Sequence, residues 1–201
     1  MSAYREKYKA LSSAFHEDVE MPDQHFAIKI FYYEQEVSDR VFSLHWHEQI
    51  EFIYLKSGSM QITCNNRTFT ARAGDLVVIN NNEYHCCDMA EAPLSLYCII
   101  VDLSILNSRF HDACEEKYIL PFSQNFIQFK NLITGDQEVT NFILKIIEEN
   151  YYRENGYELA IKGNLYNLFT ALFRRHIAKI LSPREQELLN KNLNRINTVI
   201  E

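Results

Sequence analysis

From Gln24 to Leu103, short runs of β-branched and aromatic residues alternate with turn formers, and no stretch shows helical periodicity. This pattern constrains the fold more than any other feature of the chain. The runs lie near residues 25–33, 40–46, 50–55, 59–64, 67–71, 76–80, 85–87 and 94–102. Asn65-Asn66 suits a two-residue hairpin, because Asn tolerates positive φ better than most residues. Gly58 and Gly74 are expected to supply turns, and Pro93 to open the last long strand, where its missing N–H does least harm. Eight strands in succession with no helix between them specify an antiparallel sandwich or barrel and exclude a βαβ fold.

After Asp102 the apolar period changes to 3.6. Residues 138–153 place Val139, Phe142, Ile143, Ile146 and Ile147 on one face, and 157–181 carry a wide stripe from Ile161 to Ile180. The short Asn155-Gly156 link makes these helices antiparallel neighbours. Ser182-Pro183 is an N-cap followed by Pro at the first helical position, which predicts a third helix over 183–200. Its apolar face is unfinished at Glu201, so the chain is expected to be part of a longer protein. At the other end, Tyr4, Tyr8, Leu11 and Phe15 form one helical stripe, an amphipathic helix or arm that Pro22 terminates.

Composition narrows the function classes. A net charge of −7 over 201 residues argues against this segment gripping a phosphate backbone by itself. No apolar run is long enough to span a membrane, and the charged N-terminus lacks the apolar core of a signal peptide, so a cytoplasmic protein is expected. Five cysteines, with no C-x2-C pair, read as reduced buried thiols.

The candidate chemistry lies in the stretch from His45 to Gly58 and in Gly74 to His85. His45 and His47 stand two positions apart on one strand and face the same side. Glu51 and His85, from neighbouring strands, close around the same point in a barrel. Two kinds of occupant suit three imidazoles and a carboxylate. One is a hydroxylated or carboxylated effector on a polar floor, with His47 and Glu51 as its main partners and Tyr54 adding a phenolic hydroxyl. The other is a divalent transition metal (Zn, Fe(II), Mn or Ni) on His45, His47, Glu51 and His85, with positions left open. The reading adopted requires no cofactor and assigns no catalytic residue.

The spacing H-x-H-x3-E-x6-G, followed by G-x5-N-x-N-x2-H, resembles the two signature motifs of the cupin superfamily. Asn80 stands where that pattern usually has Pro, Asn82 where it has Gly and Met89 where it has Asn. The whole chain resembles the N-terminal effector-binding domain of AraC-type transcription regulators, on the stretches His45–Gly58 and Ala73–His85 and on the helical pair that follows. The resemblance implies a mainly β fold: a cupin double-stranded β-helix, an antiparallel jelly-roll barrel, followed by two to three α-helices. It divides the chain into an N-terminal helix or arm (1–23), the barrel (24–103), a connecting and helical dimerisation region (104–181) and a linker helix (182–201). It further implies a non-enzymatic, homodimeric sensor of a small molecule, with no membrane contact, that reaches DNA only through a helix-turn-helix part absent from this chain. The homodimer is expected to form chiefly through the 157–181 helix. The alternatives are a metal-dependent cupin enzyme, an oxygenase or isomerase of a small acid or sugar, and a structural dimerisation domain.

Overall fold

Strands β1 (Ile28–Gln35), β2 (Phe42–His45), β3 (Ile50–Cys64), β4 (Arg67–Arg72), β5 (Leu76–Ile79) and β6 (His85–Val101) succeed one another with no helix between them, as the alternation requires. The computed structural model of the chain describes residues 15–107 and 112–187, with Asp88 described in its backbone only. Every pairing among these strands is antiparallel, and two-residue β8 (Leu132–Ile133) extends the sheet beyond β5 to make seven strands. The long strands β3 and β6 pair with each other and each serves two further neighbours. One half of β3 takes β5 and the other β4, while β6 takes β2 along its first half and β1 along its second. A sheet with this pairing must curl, and it curls into the expected barrel.

Gly58 is where it bends. The sequence reading made Gly58 a turn between two strands and Pro93 the start of another; instead both lie inside continuous strands. The register of β3 against β6 shifts on either side of Ser57. A Cβ at position 58 would sit 2.6 Å from the Pro93 carbonyl oxygen, on a backbone with φ of +80°. Only glycine accepts both the left-handed conformation and that approach. The Asn65-Asn66 hairpin forms as expected, with Cys64 paired to Arg67 and Asn65 at φ of 51°.

Alternation along β3 and β6 divides the apolar residues between two cores. Ile53, Leu55, Met60, Ile62, Leu96, Cys98 and Ile100 fill the barrel. Their neighbours Ile50, Phe52, Ile99 and Val101 face outward, against helices α1 (Gln137–Tyr152) and α2 (Tyr157–Arg175). Those helices cover the sheet with Val139, Ile143, Ile146, Ile161, Leu165, Leu168 and Leu172, all of them buried. The wide stripe on α2 is therefore spent on the protein's own core, and Leu159 and Tyr166 are the large apolar residues that α2 exposes. That removes the wide-stripe argument for a dimer through the 157–181 helix.

Helix α2 also ends at Arg175, six residues before the expected Leu181. Ile177–Ile180 forms β9, antiparallel to β7 (Ile127–Phe129), because β-branched residues beside an open strand edge satisfy more backbone groups there than in another helical turn. Ser182 and Glu185 then form a capping box: the Ser182 amide and hydroxyl donate to the Glu185 carboxylate at 2.8 Å, and residues 183–187 are helical. The rest of the expected third helix lies outside the described residues, as do Tyr4, Tyr8 and Leu11. His16 forms a bridge beside Trp46 and not a helical turn: the Trp46 amide donates to the Phe15 carbonyl and the Glu17 amide to that of Trp46, both at 2.9 Å.

One carboxylate locks the helical hairpin. Asp136 caps α1 by accepting from the Val139 amide, and it also takes the His176 ring at 2.7 Å and the Arg175 guanidinium at 3.0 Å from the far end of α2. Partial burial works to raise this carboxyl, but the hydrogen bonds from His176, Arg175 and Val139 overcome it and hold it well below the ordinary range. A depressed folded pKa means stability that is present above the unfolded carboxyl value and lost as pH falls below about 4. Asp136→Ala is expected to cost about 1–2 kcal/mol at neutral pH, with the difference shrinking by pH 3, in paired urea titrations. Gly58→Ala is expected to cost roughly 2 kcal/mol or more in the same assay, at both pH values.

Candidate functional site

His45, His47, Glu51 and His85 meet at one point in the barrel. The register brings them together, because His85 lies opposite His45 on one side and Cys64 on the other, while Glu51 lies between Ile79 and Ile100. Asn82 has a φ of 58°, so it keeps the left-handed turn for which the cupin pattern uses Gly. His47, Glu51 and His85 are buried and His45 is half-buried.

Each imidazole is tethered through Nδ1 to a backbone carbonyl: His45 to Ser43 at 2.7 Å, His47 to Gln49 at 3.1 Å and His85 to Glu83 at 2.8 Å. A carbonyl oxygen only accepts, so all three Nδ1 atoms carry protons and all three Nε2 atoms turn inward. His47 Nε2 and His85 Nε2 lie 3.1 and 3.2 Å from the same Glu51 Oε2. Glu51 Oε1 accepts from the Cys98 thiol at 2.9 Å, and His45 Nε2 faces Glu17 Oε2 at 3.1 Å.

Burial works to raise the Glu51 carboxyl, but the hydrogen bond from His47 and the close imidazoles of His47 and His85 outweigh it and hold Glu51 ionised far below the ordinary range. Burial works to lower His85, and the Glu51 carboxylate overcomes it and raises that imidazole. His45 is lowered, by burial and by the charge of His85. Burial and the Glu51 carboxylate push the Cys98 thiol up, so it acts as a hydrogen-bond donor and not as a thiolate ligand.

This arrangement fits a divalent metal. The four donor atoms lie within 4.8 Å of one another, Nδ1 tethers to carbonyls are what metal-bound histidines ordinarily use, and the buried His85 Nε2 faces the centre. It fits a polar organic ligand equally, since a cavity of about 190 Å³ opens from the cluster across β1 and β6.

Tyr54 is the site residue that the structure removes. It stands three positions from Glu51 on β3, so strand alternation turns it to the opposite face, where it lines a groove with Tyr32, Tyr97 and α1. The parity was readable from the spacing. Glu17 and Cys98 were missed: nothing in the sequence marks a residue of the extended arm as a partner of His45, or one buried cysteine among several as a partner of Glu51. Lys29 and Phe42 also line the cavity.

Glu51→Gln removes the charge that raises His85, leaving burial to dominate. In metal-free protein, His85 is expected to titrate above the ordinary imidazole value of about 6.5 in the wild type and below it in the variant, by NMR of the ring protons. A raised folded value means stabilisation that is complete below pH of about 6.5 and lost as pH rises through the His85 pKa. An unchanged titration in the variant would remove Glu51 as the counter-ion.

Residues 27–169 match the family described as the AraC-like ligand binding domain. No curated protein matches the sequence. Solved structures with partial likeness include the Bacillus subtilis oxalate decarboxylase with its Mn(II) centres, at 21% identity over 38% of this chain and 21% of that chain, with a TM-score of 0.34. The Streptomyces nucleoside dehydratase Pac13 with uridine is similar at 14% identity over 42% of this chain and 62% of that one, also at 0.34. The chain thus spans about a fifth of the decarboxylase, and each likeness involves less than half of the present chain.

Proposed function

The chain belongs to the AraC-like ligand-binding domain family, and from that premise we propose that it is the small-molecule sensing and dimerisation domain of an AraC-type transcription regulator. The observation that carries the sensing role is the set of three carbonyl-tethered imidazoles around Glu51 at the floor of an open barrel cavity. Burying that much polarity is costly unless each group finds a partner, and a bound effector supplies partners from the cavity side. His45, His47, Glu51 and His85 bind in this reading and do not turn the ligand over.

The remaining parts of the proposal follow the family. No helix among the described residues is long and apolar enough to cross a membrane, and the regulator is assigned to the cytoplasm. A homodimer and a DNA-binding helix-turn-helix part outside this chain complete it, the net charge of −7 being a poor match for DNA in this segment. The surface offered to a second copy is the exposed apolar set Tyr32, Leu144, Tyr151 and Tyr152.

A second reading, a metal-dependent enzyme on the same residues, is supported by the donor set itself. The Nε2 atoms of His45, His47 and His85 with a Glu51 oxygen would hold the ion, and a bound divalent metal supplies a Lewis acid for a ligand oxygen. The two readings part on turnover. His47→Ala and Glu51→Ala in the full regulator are expected to abolish effector binding and effector-dependent transcription together, with the ligand recovered unchanged from wild type. An unaltered response in both variants removes these residues from sensing, and a product made only by wild type moves the protein to the enzymes.

A further inference from the structure

The cavity beside the histidine cluster also constrains what it takes, an inference that rests on the barrel being the sensing pocket. Its inward-facing residues on β1 are Lys29, Phe31 and Tyr33, opposite Ile100, Cys98 and Leu96 of β6. Phe42 of β2 lines it too. Three features decide the ligand's chemistry.

The first is charge. Glu51 faces His47 and His85, and Glu17 faces His45. Lys29, half-buried on the cavity wall, has no carboxylate partner among the described residues. It lies on the same face of β1 as Phe31 and Tyr33, the face that lines the cavity. An ammonium on the cavity wall with no carboxylate of its own favours an anion.

The second is polarity. A sugar brings a hydroxyl at nearly every carbon, and each must find a partner once buried. The polar groups of this cavity are largely committed: the imidazole Nδ1 atoms to carbonyls, Cys98 to Glu51, and the Tyr33 hydroxyl to Gln35 at 2.6 Å. Apart from the cluster, Glu17 beside His45 and Lys29, the walls offer mainly ring faces and aliphatic side chains.

The third is size. A cavity of about 150 Å³ lined by apolar side chains accepts benzene, and this one measures about 190 Å³. The surplus fits one small substituent.

We propose that the effector is a small monocarboxylate built on a single ring, its carboxylate paired with Lys29 and its ring packed against Phe31, Phe42, Leu96 and Ile100. Lys29 is thereby a specificity-determining residue that selects acids over their neutral isosteres.

The test is calorimetric titration of the whole chain with benzoate, cyclohexanecarboxylate, the matching amides, and a hexose. The acids are expected to bind at least about tenfold more tightly than their amides. Lys29→Met is expected to erase that preference and Lys29→Arg to keep it, with melting temperatures confirming that both variants fold. Amides binding as tightly as acids, or acids binding Lys29→Met as well as wild type, would overturn the proposal. If a hexose or another neutral probe binds and His47→Ala abolishes it while Lys29→Met does not, the ligand class falls and the sensor reading stands. If the folded wild type binds none of the probes, the ligand class falls here too, and the transcription assay of the His47 and Glu51 variants then decides the sensor reading separately.

Discussion

One buried carboxylate sets the terms for the barrel. Glu51 is ionised and buried at the start of β3, among apolar neighbours, where an uncompensated charge costs several kcal/mol. Its compensation comes from residues far away in sequence: His47 at the strand's approach, His85 at the start of β6 and Cys98 near its end. Those contacts hold only if β3 and β6 run side by side over nearly their whole length. The bend at Gly58 and the close approach of Pro93 to it meet the same need, because without them the two halves of each strand would not face each other. The polar centre and the curl of the sheet thus share the same strand pairing.

Much of this was legible beforehand, for a specific reason. Strand alternation is a local property, so His45 and His47 declare a common face, and the apolar runs declare the strands. The helical hairpin was legible on the same ground. What failed needed information from outside the segment. Whether Gly58 ends a strand or bends one depends on what approaches it, here the Pro93 carbonyl. Whether Ile177–Ile180 continues a helix or pairs as a strand depends on the free edge of β7. Tyr54 is a different kind of error, since its odd spacing from Glu51 already placed it on the helix side. Glu17 and Lys29 became visible only in the structure, because their roles depend on which strand or arm lies beside the cavity.

The departures from the cupin pattern at positions 80 and 82 become understandable in the same terms. Asn82 supplies the positive φ that Gly would otherwise give. Asn80 does what Pro has no means of doing. Its side-chain amide takes both backbone groups of Phe129, accepting from the amide at 2.8 Å and donating to the carbonyl at 3.1 Å, as an additional strand would. Glu83 joins the same buried network, accepting from Asn65, Asn80 and Asn131.

That network places the histidine cluster in mechanical contact with the helical layer. The carbonyl that orients the His85 ring belongs to Glu83, whose side chain is fixed by Asn80 and Asn131. Asn80 grips Phe129, and the Phe129 ring stacks on Phe122 at 4.7 Å and packs edge-on to Phe173 of α2 at 5.0 Å. Phe129 belongs to β7, which pairs with β9, and β9 leads directly into the capping box at Ser182. From Glu83 through Asn80 to the Phe129 ring the links are hydrogen bonds and ring contacts in the interior, and close-packed interiors transmit displacement better than they absorb it. A pocket whose floor is oriented by such a chain is joined to the helical layer and to β9, so the residue that breaks the pattern at position 80 belongs to the connection between the site and the helices.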